Sequence, residues 1–304
     1  MISVESKKNC VFKTLENNSA DSIVVCLKKA FIDYFVSFQA LETQYFENRW
    51  RVGMIDYKAS IGSFDVETNE LVGIVLWCID SNKNGQRVAF NIATGVQPEY
   101  RRGGLTNRMI DFSVKLLKAE PYRLDKLILE VITMNDRAIK CYEKSGFKID
   151  RTLMVFAGSI ASSEQHQEDQ VVSNRNKVLV LKGKDIPIDR LSPKPICETP
   201  WEYQPKCLIT DPDNLECWSL VDDDRDSGEP GRTYLLMYKT RNLIGYAHFE
   251  SVEKGIELMK QLSLQFPNIM ALLPDEEETI ISVYKHFNLN NKLNEYEMSR
   301  PIDV

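Results

Sequence analysis

The chain has 304 residues, 43% of them hydrophobic and 27% charged, with a formal net charge of -6 and a pI near 5.4. That is the make-up of soluble globular domains, and the length predicts two of them. A polyanion makes a poor clamp for nucleic acid, and no run approaches the ~20 apolar residues of a membrane span, so neither partner is expected. The first ten residues, MISVESKKNC, lack the apolar core of a secretion signal. The seven cysteines are odd in number and form no C-x-x-C pair, which fits free thiols in a reducing, cytoplasmic setting better than a disulfide framework. No His/Cys cluster has zinc spacing, and no metal is expected.

In chain order, residues 20–50 read as largely helical. Ile23, Cys26, Leu27, Ala30, Phe31, Tyr34 and Phe35 recur at intervals of three and four, and the aromatic-rich stretch Leu41 to Trp50 follows. Residues 58–66 and 71–79 read as strands joined by a turn at Thr68-Asn69. The continuously apolar 71–79 should be buried. Asn84-Gly85 signals a hairpin into a third strand, Arg87 to Val96, which ends at Pro98. Leu105, Met109, Phe112 and Leu116 share one face of a helix over 105–118, and a strand at 126–132 follows. A helix over 135–145 has Asn135 as N-cap and Gly146 just past its end. A strand then runs from Phe147 to Phe156. The polar 159–175 reads as a loop or hairpin tip, Asn176 to Gly183 as a strand, and Ser192-Pro193-Lys194-Pro195 as a boundary. The order predicts an α/β sandwich on a mixed sheet.

One run carries chemistry: Thr94-Gly95-Val96-Gln97-Pro98-Glu99-Tyr100-Arg101-Arg102-Gly103-Gly104-Leu105-Thr106. A strand stops at a proline, and a basic, glycine-containing turn opens a helix. The first amides of that helix have no intrahelical partners and sit at its positive dipole end. Two glycines allow close approach, and two arginines add charge. Such a turn suits a pyrophosphate, although it is neither G-x-x-x-x-G-K-[ST] nor G-x-G-x-x-G. Local chemistry alone leaves a plain strand–turn–helix connection with solvated arginines open.

The run resembles motif A of the GNAT acetyltransferase superfamily, V-x-P-x-x-R-x-x-G-x-G/A, through Val96, Pro98, Arg101 and Gly104, with Thr106 standing where glycine or alanine is usual. Downstream, Leu129-Glu130-Val131, Asn135, Ala138, Tyr142-Glu143 and Gly146-Phe147 resemble motif B of the same family. The resemblance covers about residues 10–158. It implies a mixed central sheet flanked by helices, acetyl-CoA as donor and an amine acceptor, a small molecule or a peptide. It further implies that backbone groups of Thr94, Gly95 and Val96 pair with the pantetheine. The amides of Arg101, Arg102, Gly103, Gly104, Leu105 and Thr106 would hold the pyrophosphate. Asn135 would bond the pantetheine arm or simply cap its helix. Tyr142 would protonate the departing thiolate or merely pack. Glu130 would act as a base through water or face solvent, with Glu99 a weaker candidate base. Phe31, Tyr34 and Phe35, with further rings at Phe38, Tyr45, Phe46 and Trp50, would line the acceptor site or fill the core.

In the second half, 233–249 reads as a hairpin turning near Arg241-Asn242, followed by a helix over 252–265, a strand at 268–273, a helix over 275–287 and a strand near 294–300. Pro274 to Phe287 resembles motif B with Tyr284 at the tyrosine position, but no P-x-x-R or Gly-rich turn precedes it. These features imply two tandem domains, 1–190 carrying the donor site and 195–304 a degenerate copy without one. An unrelated α+β domain is the other reading of that half. The expected activity is N-acetyl transfer; a non-catalytic CoA or acyl-CoA-binding sensor or interaction module is the alternative. A homodimer is left open.

Overall fold

The protein is described by a computed structural model over residues 9–81, 85–160, 178–191, 200–204, 207, 209–222 and 228–302. Asn84, most of the polar stretch 159–175 and the expected Ser192–Pro195 boundary lie outside the described residues. The chain divides into two compact units, residues 1–150 with 297–304, and residues 151–296. This differs from a boundary at 190–195. The difference comes from long-range strand pairing, which local composition does not carry.

Unit 1 opens with β1 (Cys10–Thr14), a strand not expected from the sequence, paired antiparallel with β2 (Ile61–Asp65). β3 (Leu71–Ser81) and β4 (Arg87–Val96) continue the antiparallel meander, and β5 (Lys126–Ile132) lies parallel to β4. The C-terminal residues return to this unit: the last strand of the chain neighbours β5, and the Ile302 amide donates to the Asp125 carbonyl at 2.8 Å. On one face of the sheet, α1 (Ala20–Ala30) buries Ile23, Val24, Cys26, Leu27 and Ala30, at ~1.5–3 kcal/mol for each large aliphatic chain. Ser19 caps it by accepting from the Ser22 amide at 3.2 Å. The helix expected over 20–50 is broken at Phe31, and α2 (Thr43–Gly53) follows after a loop, burying Phe46 and Trp50 in the same core. α3 (Leu105–Lys118) and α4 (Asp136–Lys144) follow β4 and β5, with the bounds the periodicity predicts for α3 and one residue less at each end for α4.

Unit 2 takes up β6 (Lys148–Ser159) from Arg151 on. β7 (Val178–Lys182), β8 (Leu215–Leu220), β9 (Tyr234–Tyr238) and β10 (Leu243–His248) form an antiparallel run, and β11 (Asn268–Pro274) is parallel to β10 and antiparallel to β6. The chain passes through the short α5 (Ile188–Leu191) between β7 and β8. α6 (Val252–Ser263) and α7 (Glu278–His286) pack Leu258, Met259, Leu262, Val283 and Tyr284 onto Phe156, Leu235 and Met237. A two-residue strand, β12 (Asn290–Asn291), pairs with β6, and β13 (Glu295–Pro301) passes back to unit 1 at Glu297.

Candidate active site

The parallel pairing of β4 and β5 runs from Val88 opposite Lys126 to Asn91 opposite Leu129. At that point β4 is bulged: Asn91 and Ala93 face consecutive residues of β3, with Ile92 as the extra residue. Beyond it, Thr94, Gly95 and Val96 stay paired to β3 through Val75, Ile74 and Gly73, while their other edge is released from β5. A cleft of about 870 Å³ opens there. Its walls are the end of α1, the release point of β4, the turn leading into α3, and α4.

The geometry and charge of the turn suit an anion. Gln97 is buried and anchors it, its amide side chain donating to the Leu71 carbonyl at 3.0 Å. Tyr100 donates to the Asp65 carboxylate at 3.0 Å. Arg102 and Gly104 both have positive φ, at 66° and 71°, with Gly103 between them. Residues of alternating hand turn successive amides to one side. Gly104 is the N-cap of α3 and supplies no side chain to the helix start, so the first amides face the cleft uncapped. A Cβ at Gly103 or Gly104 would meet nothing within 4 Å, consistent with open space for a ligand beside both. Arg102, Arg137, Lys140 and Lys144 all line the cleft, against Asp33 and Glu99. A chain of net charge -6 thus gathers a local cationic wall.

Arg101 plays a different part from its neighbours. Its Nε donates to the Val96 carbonyl at 2.9 Å and its Nη2 to the Ala30 carbonyl at 2.7 Å, and both Nη atoms reach the Asp33 carboxylate, at 2.6 and 2.9 Å. Four of its five N–H groups therefore bind the chain itself. The guanidinium clamps the end of α1 and the following loop to the end of β4, and it holds the Asp33 carboxyl below its ordinary range. Gly95 permits this approach. A Cβ there would lie 2.7 Å from the Phe31 ring and 2.9 Å from the Ala30 methyl.

The remaining expected residues fall into two groups. Thr94, Gly95, Val96, Arg101, Arg102, Gly104, Leu105, Thr106, Asn135, Tyr142, Phe31 and Tyr34 line the one cleft. Gly103, Glu130 and Phe35 are not among its lining residues. Glu130 is half-buried on β5 and Phe35 is 52% exposed. Asn135 caps α4, accepting from the Ala138 amide at 3.2 Å. Thr106 engages the Cys141 thiol, and burial raises that thiol's pKa. Next to it, Asn107 donates to the Cys141 carbonyl and to Ser145 Oγ at 2.8 and 2.6 Å, which ties the start of α3 to α4. Tyr142 is buried with its ring 5.9 Å from that of Phe147. Burial pushes its pKa up, offset in part by the Thr94 side chain. Asp33, Asn91, Asn107, Lys140 and Lys144 went unnoticed in the sequence. Only the two lysines, four apart on a helix, carried a pattern that could have flagged them.

A sequence model of the acetyltransferase (GNAT) family matches residues 27–147. No curated protein matches the chain. Among solved structures, a tandem GNAT protein from the clavulanic acid biosynthesis pathway is similar at TM-score 0.68 and 10% identity, over 97% of this chain and 99% of that one. A GCN5-related N-acetyltransferase from Sphaerobacter thermophilus is similar at TM-score 0.63 and 11% identity, over 97% and 96% of the two chains. One from Anabaena variabilis is similar at 0.60 and 14%, over 97% and 74%. At these identities the structural likeness concerns the fold. Residues 27–147 thus match the GNAT acetyltransferase family model, and the chain as a whole has a two-domain GNAT fold.

Proposed function

We propose that unit 1 is an acetyl-CoA-dependent N-acetyltransferase acting on an amine, a small molecule or a peptide. The carrying observation is the cleft where β4 leaves β5 beneath an uncapped helix start, with a buried tyrosine on its wall. In this reading the pantetheine pairs with the free edge of Thr94–Val96, as an added strand would. The pyrophosphate sits on the amides of Arg101–Thr106, and Arg102, Arg137, Lys140 and Lys144 supply counter-charge. Side-chain capping by Asn135 is compatible with a contact from its amide group to the pantetheine arm. The Arg101 side chain holds the site together and leaves the anion to the backbone and to Arg102.

The acceptor amine must be neutral to attack, although a lysine-like amine has a pKa of ~10.4. Its nitrogen attacks the thioester carbonyl, the C–S bond breaks, and Tyr142 gives the departing thiolate a proton or a hydrogen bond. Glu130, off the cleft wall, would serve as base only through water. Phe31 and Tyr34 present rings at the α1 end of the cleft, where the acceptor would enter; Phe35 would contribute only from its rim. We assign unit 2 no donor site.

Calorimetric titration of the purified chain with acetyl-CoA tests the donor assignment, with one site per chain expected and no heat at hundreds of micromolar the contrary result. Release of free thiol across a panel of amines tests turnover. Binding without thiol release on any amine would favour a sensor instead.

A further inference from the structure

Residues 31–38, FIDYFVSF, follow α1 and carry six apolar or aromatic side chains and a single charge, Asp33. Phe31 and Phe38 are half-buried and pack against the core that α1 and α2 form with the sheet. From there the rings run outward. The Phe31 ring meets that of Tyr34 edge-on at 5.0 Å, and Tyr34 meets Phe35 at 5.5 Å. The inner end of this row rests on Gly95 of β4, where the Phe31 ring leaves no room for a Cβ. Phe31 and Tyr34 line the cleft. Phe35 is 52% exposed, and Ile32 and Val36 are 61% and 49% exposed. Core packing accounts for the half-buried rings. It does not account for three large apolar chains left in water beside residues of the cleft wall.

The same segment offers a cation little. Its one carboxylate, Asp33, is held by both Nη atoms of Arg101 at 2.6 and 2.9 Å and lies 4.0 Å from Arg137. Over the whole cleft, five Arg and Lys side chains face two carboxylates, Asp33 and Glu99, among the described residues. A second ammonium group on an acceptor would find no uncommitted anion on this segment, and placing it against the rings costs more than placing a methyl group there. We propose that the row Phe31–Tyr34–Phe35, with Ile32 and Val36, binds the body of the acceptor, so that the preferred acceptor is a monoamine whose remainder is apolar, either a free amine or the amino end of a peptide beginning with a large apolar residue. The role of acceptor rests on the acetyl-transfer reading; the preference of the wall for an apolar chain does not. Polyamines, amino sugars and lysines in basic segments fit this wall poorly.

Hexylamine and 1,5-diaminopentane are matched in length and differ at one end, methyl against ammonium. Methyl-labelled isoleucine in the unliganded full chain reports binding at Ile32 by NMR, with the signal assigned by its loss in Ile32→Val. The Ile32 signal should titrate with hexylamine at least about 10-fold tighter than with diaminopentane. Phe35→Ser replaces an exposed ring and should bring the two amines within about 2-fold of each other. In turnover with acetyl-CoA, kcat/KM should follow the same order. Phenylalanine amide against a short peptide beginning with Phe then tells a free amine from a peptide end. Equal or tighter binding of diaminopentane at Ile32 would overturn the proposal, because the rings would then be reading a cation. No Ile32 response to hexylamine would overturn it as well, and a change from dimer to monomer in Phe35→Ser would then give the patch to a second copy of the chain. Normal hexylamine titration with no thiol release on any amine would retire the acetyltransferase reading and keep the apolar wall.

Discussion

The two units repeat one plan and differ at one place. In each, a bulged strand runs parallel to its neighbour for a few residues and then leaves it, β4 from β5 in unit 1 and β10 from β11 in unit 2. In each, the next helix pair ends in a buried tyrosine, Tyr142 or Tyr284, whose pKa burial raises. Between strand and helix, however, unit 1 inserts the eight residues Gln97 to Gly104, and unit 2 only Phe249, Glu250 and Ser251. In unit 2 the Ser251 hydroxyl accepts from the Lys254 amide at 3.3 Å, and Glu250 and Glu253 place carboxylates at the helix start. The helix start that is uncapped in unit 1 is here satisfied by the protein's own groups. The crevice beside β10 has a volume of about 40 Å³ against about 870 Å³ in unit 1, and Pro200 lines it. Among the described residues, the two units thus differ in that the link of unit 1 is long, glycine-bearing and uncapped, while that of unit 2 is short and capped.

The largest expected effect comes from closing that site electrostatically. Arg102→Glu with Gly104→Asp puts two carboxylates where the pyrophosphate would lie and offers α3 a side-chain cap like that of unit 2. Affinity for acetyl-CoA should fall by at least ~10²-fold in calorimetry while far-ultraviolet circular dichroism stays unchanged. Retained affinity would move the donor site elsewhere.

The two tyrosines make the next comparison. Tyr142→Phe should lower turnover by ~10²-fold with acetyl-CoA affinity nearly kept, as expected for loss of a proton donor. Tyr284→Phe should leave turnover alone. Equal effects in steady-state kinetics would mean that both tyrosines act only by packing.

The Arg101 clamp has no counterpart in the three-residue link of unit 2. Its side chain is 16% exposed, and Arg101→Met strands the Ala30 and Val96 carbonyls. A loss of about 2–3 kcal/mol in urea unfolding should follow. Asp33→Asn should cost less, because that carboxylate is half exposed. Its pH dependence has a defined sign. Arg101 depresses the Asp33 pKa below its ordinary value, so its contribution is present above the unfolded pKa and is lost as pH falls through the folded one. The gap between parent and Asp33→Asn unfolding midpoints should therefore be widest near neutrality and close as pH falls below the ordinary carboxylate range. A gap independent of pH would show that the ion pair is not its source.

The smallest effect tests unit 2. Ser251→Ala should remove about 1 kcal/mol of stability, read as a lower thermal midpoint, without creating a second acetyl-CoA site. A second site in calorimetry would mean that the cap alone had kept unit 2 closed.

The sequence by itself determined the local elements and the chemistry of the turn. The face of α3 and the run of β5 are written in residues three, four or two apart. Proline, glycine and arginine in the turn act through their own backbone preferences and charge, so most of 94–106 could be grouped from the sequence with Tyr142, and the structure places them on the wall of one cleft. Where the chain leaves helix at Phe31, helical periodicity continued and misled, because Arg101 takes the Ala30 carbonyl from seventy-one positions away. β1 was missed for a related reason: five residues become a strand only by pairing with β2 some fifty positions later. The return of residues 297–304 to unit 1, the absence of Glu130 from the cleft wall and the Asn91–Thr94 bond belong to the tertiary structure alone. The last shows why. Residues three apart on a regular strand face opposite ways, and only the bulge at Ile92, set by pairing with β3, turns Asn91 and Thr94 toward each other.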